Sequence, residues 1–219
     1  MEFLQKIIDF ILHIDQHLTD LILQFGNMTY LILFLIVFCE TGLVVTPFLP
    51  GDSLFFAAGA LAANGSMSLP LIFIVCFLGA VLGNTVNYFI GRKLGPMIFN
   101  TNNRFIKKKH LESTQLFYEK HGAKAIVLSR FLPIFRTFVP FVAGVAKMNA
   151  WMHFVYNILG AFLWVGIFVS LGYFFGRIPF VQENFSLFIL IIIGVTLLPG
   201  IIAFIRQRFF RKKENQVSE

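Results

Sequence analysis

Charge is scarce in this chain. Of its 219 residues only 13% are Asp, Glu, Lys or Arg, against about 25% in an ordinary soluble domain. With 57% hydrophobic residues, 29 phenylalanines and a mean hydropathy of +0.77, that deficit excludes a free soluble globule and points to an integral membrane protein. Cysteine is scarce too. Cys39 and Cys76 each lie in an apolar run, which excludes a disulfide-stapled scaffold and reads as buried free thiols. The five histidines, His13, His17, His110, His121 and His153, show no ligand spacing, so neither a metal nor another cofactor is expected and an interfacial or surface place suits them better. Acids are outnumbered, 11 against 18 basic residues for a net charge of +7. The basic residues gather beside apolar stretches, so topogenic charge accounts for them and no nucleic-acid partner is expected.

The few charges that do interrupt apolar sequence fall in two stretches that look like copies of one device. The first runs from Cys39-Glu40-Thr41-Gly42 to Pro47-Phe48-Leu49-Pro50-Gly51-Asp52. The second runs from Ser129-Arg130-Phe131-Leu132-Pro133 through Arg136-Thr137 to Pro140. Each contains Phe-Leu-Pro, and each is followed by Ala-Gly, at Ala58-Gly59 and Ala143-Gly144. One copy carries two acids and the other two arginines. At bilayer depth a charge costs about 2.5–3.5 kcal/mol on insertion scales, so such residues are seldom accidental.

Around these stretches the chain divides readily. Residues 1–27 place Phe3, Ile7, Ile11, Ile14, Leu18, Leu21 and Phe25 on one helical stripe, the pattern of an amphipathic helix lying at the interface. The acids Glu2, Asp9, Asp15 and Asp20, with no small-residue cleavage site, argue against a secretory signal. Residues 28–90 form a first unit: the interrupted segment 28–63, then a span Leu69–Ile90 closing on Gly91-Arg92-Lys93. Residues 91–124 are a hydrophilic connection with Lys107-Lys108-Lys109 at its centre. Residues 125–175 form a second unit, with the interrupted segment Ala125–Ala146 and a span Trp151–Phe175. A last span covers 185–205, and the tail 206–219 carries Arg206, Arg208, Arg211, Lys212 and Lys213.

The positive-inside rule puts the connection and the tail in the cytoplasm. Spans 151–175 and 185–205 then cross out and back, so segment 125–146 must enter and leave on the cytoplasmic side. Since Leu69–Ile90 ends inside, the first interrupted segment lies on the opposite face. The expected architecture is therefore an all-α polytopic membrane domain: an inverted repeat with two proline-broken re-entrant segments that meet near the midplane. The side of the N-terminus stays open.

Irregular backbone at membrane depth is tolerated only inside protein or against a wet cavity. Pro47, Pro50-Gly51, Pro133 and Pro140 each break a helix or remove a donor, freeing polar backbone groups at the tips. A break at Pro133 lets Arg130 and Arg136 face one cavity, where the planar guanidinium suits phosphate. Glu40 and Asp52 are carboxylates able to take up and release protons in a low-dielectric site. The same four residues could instead pair only to neutralise buried charge and lock the two units together. Asn84, Asn87 and Tyr88 either line the cavity or mark the wet end of their helix. Lys147 reads as snorkelling to the interface, and Trp151 and Trp164 as lipid-facing or packing residues. Lys107-Lys108-Lys109 reads as topogenic charge, with contact to anionic lipid as the alternative.

Four stretches carry a resemblance: Phe38-Cys39-Glu40-Thr41-Gly42 with Pro47 to Ser53; Asn87-Tyr88 with Gly91-Arg92; Phe117-Tyr118-Glu119-Lys120-His121-Gly122; and Arg130 to Gly144. Together they resemble the DedA family of bacterial inner-membrane proteins, related to the eukaryotic VTT-domain lipid scramblases. The resemblance covers nearly the whole chain. It implies a multi-pass inner-membrane protein, with a cytoplasmic C-terminus, that returns undecaprenyl phosphate or a related anionic lipid across the membrane, with protons or another cation coupled to transport. It also implies that Glu40 and Asp52 are the family's membrane-embedded acids and Arg130 and Arg136 its essential arginines. The chain departs from the pattern at Gly83-Asn84, where an aspartate is expected in place of Asn84. A cation/proton exchanger without a lipid substrate is the first alternative. A membrane lipid phosphatase is the second, though Cys39, Ser53 and Ser129 have no base nearby in sequence, and an enzyme is not expected.

Overall fold

In a computed structural model of the chain, residues 14–43, 51–100, 121–196 and 198 are described. Among the described residues the secondary structure is helical: α1 (Ile14–Phe25), α2 (Met28–Gly42), α3 (Gly51–Ala63), α4 (Leu69–Asn100), α5 (Lys124–Ser129), α6 (Pro133–Val145), α7 (Ala150–Phe175), α8 (Pro179–Glu183) and α9 (Phe185–Thr196). Residues 1–13 of the amphipathic stripe, Pro47 and Pro50, Lys107-Lys108-Lys109 with most of the basic connection, and the basic tail lie outside the described residues. So does the end of the last expected span.

Among the described residues, two helices are long and apolar enough to cross a membrane, Leu69–Leu94 within α4 and Ala150–Phe175. Each has two faces. Along α4, Leu71, Ile74, Leu78, Leu82, Val86 and Phe89 are exposed at helical spacing, an apolar stripe suited to lipid. Its other face buries Asn84, Asn87 and Tyr88. Along α7, Val155, Leu159, Phe162 and Leu171 are exposed while His153, Asn157 and Trp164 are buried.

Both interrupted segments break where sequence chemistry requires it. Leu132 has extended backbone (φ −122°, ψ 102°), as the residue before a proline prefers. Pro133 then occupies the start of α6, where its missing N–H has no partner to lose. α2, α3 and α6 have 15, 13 and 13 residues and α5 only 6. At 1.5 Å per residue none reaches across a hydrocarbon core of about 30 Å. At the far end, Asn149 caps α7, its side chain accepting from the backbone N–H groups of Trp151 (2.9 Å) and Met152 (3.2 Å), as a helix start favours.

The half-helices are shared between the spans in an ordered way. α2 packs on α4 and α5 on α7, each the span that follows it in the chain; α3 packs on α7 and α6 on α4, each the more distant span. Glycines set the closest approaches. A Cβ at Gly59 would overlap the Val169 carbonyl, and one at Gly172 the Phe56 carbonyl, which joins α3 to α7. A Cβ at Gly144 would overlap the Tyr88 carbonyl, and one at Gly91 the Phe141 carbonyl, which joins α6 to α4. The two contacts thus have the same reciprocal pattern. Because backbone cannot yield as a flexible side chain does, Gly172→Ala and Gly144→Ala should each cost about 1–3 kcal/mol. Lowered thermal midpoints in detergent would register the loss, and unchanged midpoints would contradict this packing.

One boundary differs from expectation. The span expected to close at Gly91-Arg92-Lys93 continues as helix to Asn100. Gly91 lies against Phe141, so it is there for close approach and does not end the helix.

Candidate functional site: a buried charge cluster

The glutamate, aspartate and arginines of the interrupted segments come together. Arg136, on α6, is 3% exposed and Glu40, on α2, is fully buried. The Arg136 Nη2 donates to Glu40 Oε1, and its Nη1 donates to Asp52 Oδ1 at 3.2 Å. One guanidinium thus holds both carboxylates, with sequence separations of 96 and 84 residues.

Local backbone builds the acid side. The Gly51 N–H, at the start of α3, donates to Glu40 Oε1 at 3.2 Å. Asp52 lies in the first turn of the same helix, where the partial positive charge of the exposed N–H groups favours a carboxylate. A Cβ at position 51 would overlap the Glu40 carboxylate, so a side chain there would push that carboxylate from its place.

Arg130 behaves differently. It is also fully buried, but among the described residues no carboxylate pairs with it. Its Nη2 donates to Asn157 Oδ1 (2.6 Å) and to the Ala80 carbonyl (3.2 Å). Its Nε and Nη1 have no partner. Leaving buried donors of a charged group unpaired costs upwards of about 1–3 kcal/mol.

Trp164 lies between the parts. Its Nε1 donates to Asp52 Oδ1 at 2.7 Å, and its ring lies 5.6 Å from the Arg130 Cζ and 4.9 Å from the Arg136 Cζ, within cation–π range. The two arginines therefore converge, on an indole. Trp164, read from sequence as lipid-facing or packing, is fully buried and holds a carboxylate. His153, expected at the interface or surface, is 1% exposed and stacks on Tyr88 at 4.3 Å; the second span turns that face inward.

The remaining candidates divide. Asn87 bridges the halves, donating to the carbonyls of Thr41 (3.2 Å) and Thr137 (2.8 Å). Asn84 is fully buried and neither of its side-chain polar atoms is paired, so it lies inside the protein and not at a wet helix end. Tyr88 is buried too, but its hydroxyl donates to the Met148 carbonyl (2.5 Å) and accepts from Arg92 (3.0 Å), which ties α4 to the turn before α7. Pro140 lies within α6. Lys147 is exposed, and Cys39 and Cys76 are free. Asn157 was not distinguished by sequence. The available signal was the spacing of Asn157, Gly160 and Trp164, which puts a polar, a small and an amphipathic residue on one face of an otherwise apolar span.

A helical membrane protein with opposite charges gathered among broken helices is the class defined by this fold and site. The chain belongs to the DedA family of membrane proteins: the VTT domain model matches residues 49–174. It is 51% identical to Protein DedA of Escherichia coli strain K12 over 212 residues, which cover 95% of this chain and 96% of DedA. An uncharacterized membrane protein of Mycobacterium tuberculosis is 41% identical over 194 residues, 87% of this chain and 84% of that protein. Inner membrane protein YqjA of Escherichia coli is 37% identical over 155 residues, 70% of each chain. No solved structure matches the chain.

Proposed function

We propose that this protein carries an anionic lipid, a polyprenyl phosphate such as undecaprenyl phosphate or a related phospholipid, across the bacterial inner membrane. The names of the relatives, one of them an inner membrane protein, support the location. The observation that carries the reading is the single cluster of Glu40, Asp52, Arg130 and Arg136, supplied by α2, α3, the C-cap of α5 and α6. Static neutralisation alone would not require Arg130, which has unpaired donors.

In this reading the arginine side of the cluster receives the phosphate, and Glu40 and Asp52 carry the coupled proton or balance the positive charge when the lipid leaves. The two broken segments are re-entrant and belong to an inverted repeat. The exchanged packing of α2, α3, α5 and α6, and the matching close approaches at Gly59 and Gly172 and at Gly144 and Gly91, support that relation. Two halves related in this way, with polar residues at their junction, suit alternating access to a midplane site.

Reconstitution with labelled polyprenyl monophosphate tests the proposal. Arg130→Ala and Arg136→Ala should each abolish transport, and undiminished transport by both would sink the assignment. A cation/proton exchanger is the second reading, favoured by the two carboxylates that share Arg136. Proton flux in vesicles without added carrier lipid would support it over the first. An enzymatic role is not proposed: Ser129 Oγ donates back to the Ile126 carbonyl at 3.0 Å, the local back-bond that serine makes within helices.

A further inference from the structure

The two arginines are not equivalent, and the residue that separates their roles lies outside both interrupted segments. We infer that Asn157 is a positioning residue that holds Arg130 as the anion-receiving guanidinium, while Arg136 serves as the fixed counter-charge of the acids. This rests on the lipid-transport reading for the source of the anion, but not for the assignment itself.

The orientation of the Asn157 amide is set by its neighbours. Its Nδ2 donates to the Val81 carbonyl (2.9 Å) and to Thr85 Oγ1 (3.1 Å). Thr85 Oγ1 accepts there because its own proton goes to the Val81 carbonyl at 2.7 Å. With both amide hydrogens so directed, Oδ1 must face Arg130, and it accepts from Nη2 at 2.6 Å. An arginine has five N–H donors. Nη2 directs its two at Asn157 and Ala80, which leaves the one on Nε and the two on Nη1, all buried and unpaired. One α-helical turn on, Gly160 gives the space: a Cβ there would lie 3.0 Å from Arg130 Cδ and 3.1 Å from Nε. Trp164, a further turn along the same face, lies against both Arg130 and the acid-bound Arg136.

Asn157 is thus an acceptor without charge. It grips one corner of the guanidinium and leaves its positive charge uncancelled. An aspartate would grip as well but would neutralise the cation. The ligand class that fits three free donors on a buried cation is an oxyanion with several acceptor oxygens, such as a phosphate monoester. It could be a lipid headgroup or free phosphate.

The full-length protein with Trp151→Phe retains Trp164 as its sole tryptophan, a fluorescent reporter next to Arg130. Trp151 is 72% exposed and outside the cluster. In phosphatidylcholine nanodiscs this protein should show a saturable fluorescence change with farnesyl monophosphate, with inorganic phosphate as the second probe. Asn157→Asp should weaken binding by about a hundredfold, because a carboxylate then neutralises Arg130 and faces the incoming anion. Its ion pair with Arg130 offsets part of the two lost donations to Val81 and Thr85, so affinity is compared in the folded variant at a somewhat lower thermal midpoint. If Asn157 served only to join the two spans, a folded Asn157→Asp would lose stability but not affinity, so unchanged affinity in that variant overturns the inference. If that variant does not fold, Asn157→Leu, which removes the acceptor on Nη2 without adding charge, should weaken binding several-fold; unchanged affinity there also overturns it. Binding of inorganic phosphate but not of the lipid phosphate, lost in Asn157→Asp, upholds the positioning role and removes the lipid reading. A parent that binds neither probe refutes both.

Discussion

Arg136→Met is expected to destabilise the folded protein by about 3–5 kcal/mol, the cost of stranding a buried charge without its partner. The cost falls on two carboxylates, since Arg136 holds both Glu40 and Asp52. Glu40 is fully buried, and its second carboxylate oxygen has no partner, so solvent offers no substitute. The triple variant Glu40→Gln, Asp52→Asn, Arg136→Met removes the charges together, and amides of similar shape can still accept from Gly51 and Trp164. It should recover most of the lost stability, because replacing a whole buried ion group is often neutral or better. Transport should not recover. Unfolding of purified variants in mixed micelles measures the first effect and reconstituted transport the second. If Arg136→Met proves as stable as the parent, the three-residue ion group does not form. If the triple variant transports lipid, the group is structural only.

Trp164→Ala should be nearly as costly, again about 3–5 kcal/mol for deleting a fully buried large aromatic side chain. The ring packs edge-on against Phe55, with centroids 4.6 Å apart, so the cavity would open in the main apolar core as well as beside the charges. Trp164→Phe separates the two contributions. It keeps most of the ring but loses the 2.7 Å bond to Asp52 and weakens the cation–π contacts. About 1.5–3 kcal/mol should be lost with that bond to a charged acceptor, although Asp52 Oδ1 keeps its bond from Arg136. A transport defect well beyond that modest destabilisation would mark the indole N–H as part of the working site. Equal, small losses in both measures would make Trp164 a packing residue, as its sequence context suggests.

Much of the fold was legible because membrane sequence is written in coarse terms. Long apolar runs gave the spans at 69–90 and 151–175, and the prolines and charges between them gave the breaks. Pro133 sits at a helix start because a proline tolerates no other place as well. The meeting of Glu40, Asp52 and Arg136 was legible for a similar reason: a charge in such sequence requires a partner, and few were on offer. The separate fates of Arg130 and Arg136 were not legible. Which arginine takes the acids depends on how α5 and α6 lie against α7 and α4, and six residues of sequence separation do not fix that. Asn157 and Trp164 were hidden by the uniformity of the span around them. Gly91 misled about the end of α4, because glycine at a close approach and glycine at a helix end look the same in sequence.

The order of synthesis gives the exchanged packing a consequence for assembly. Glu40 and Asp52 emerge from the ribosome 96 and 84 residues before Arg136, a lead of roughly 4 to 20 seconds at bacterial elongation rates. Throughout that interval α3 also lacks its principal packing surface, since α7 has yet to be made. The nascent first half must therefore be sheltered, acids and all, by the insertion machinery or by the bilayer edge. Biogenesis of this protein should be unusually sensitive to any change that delays the second half.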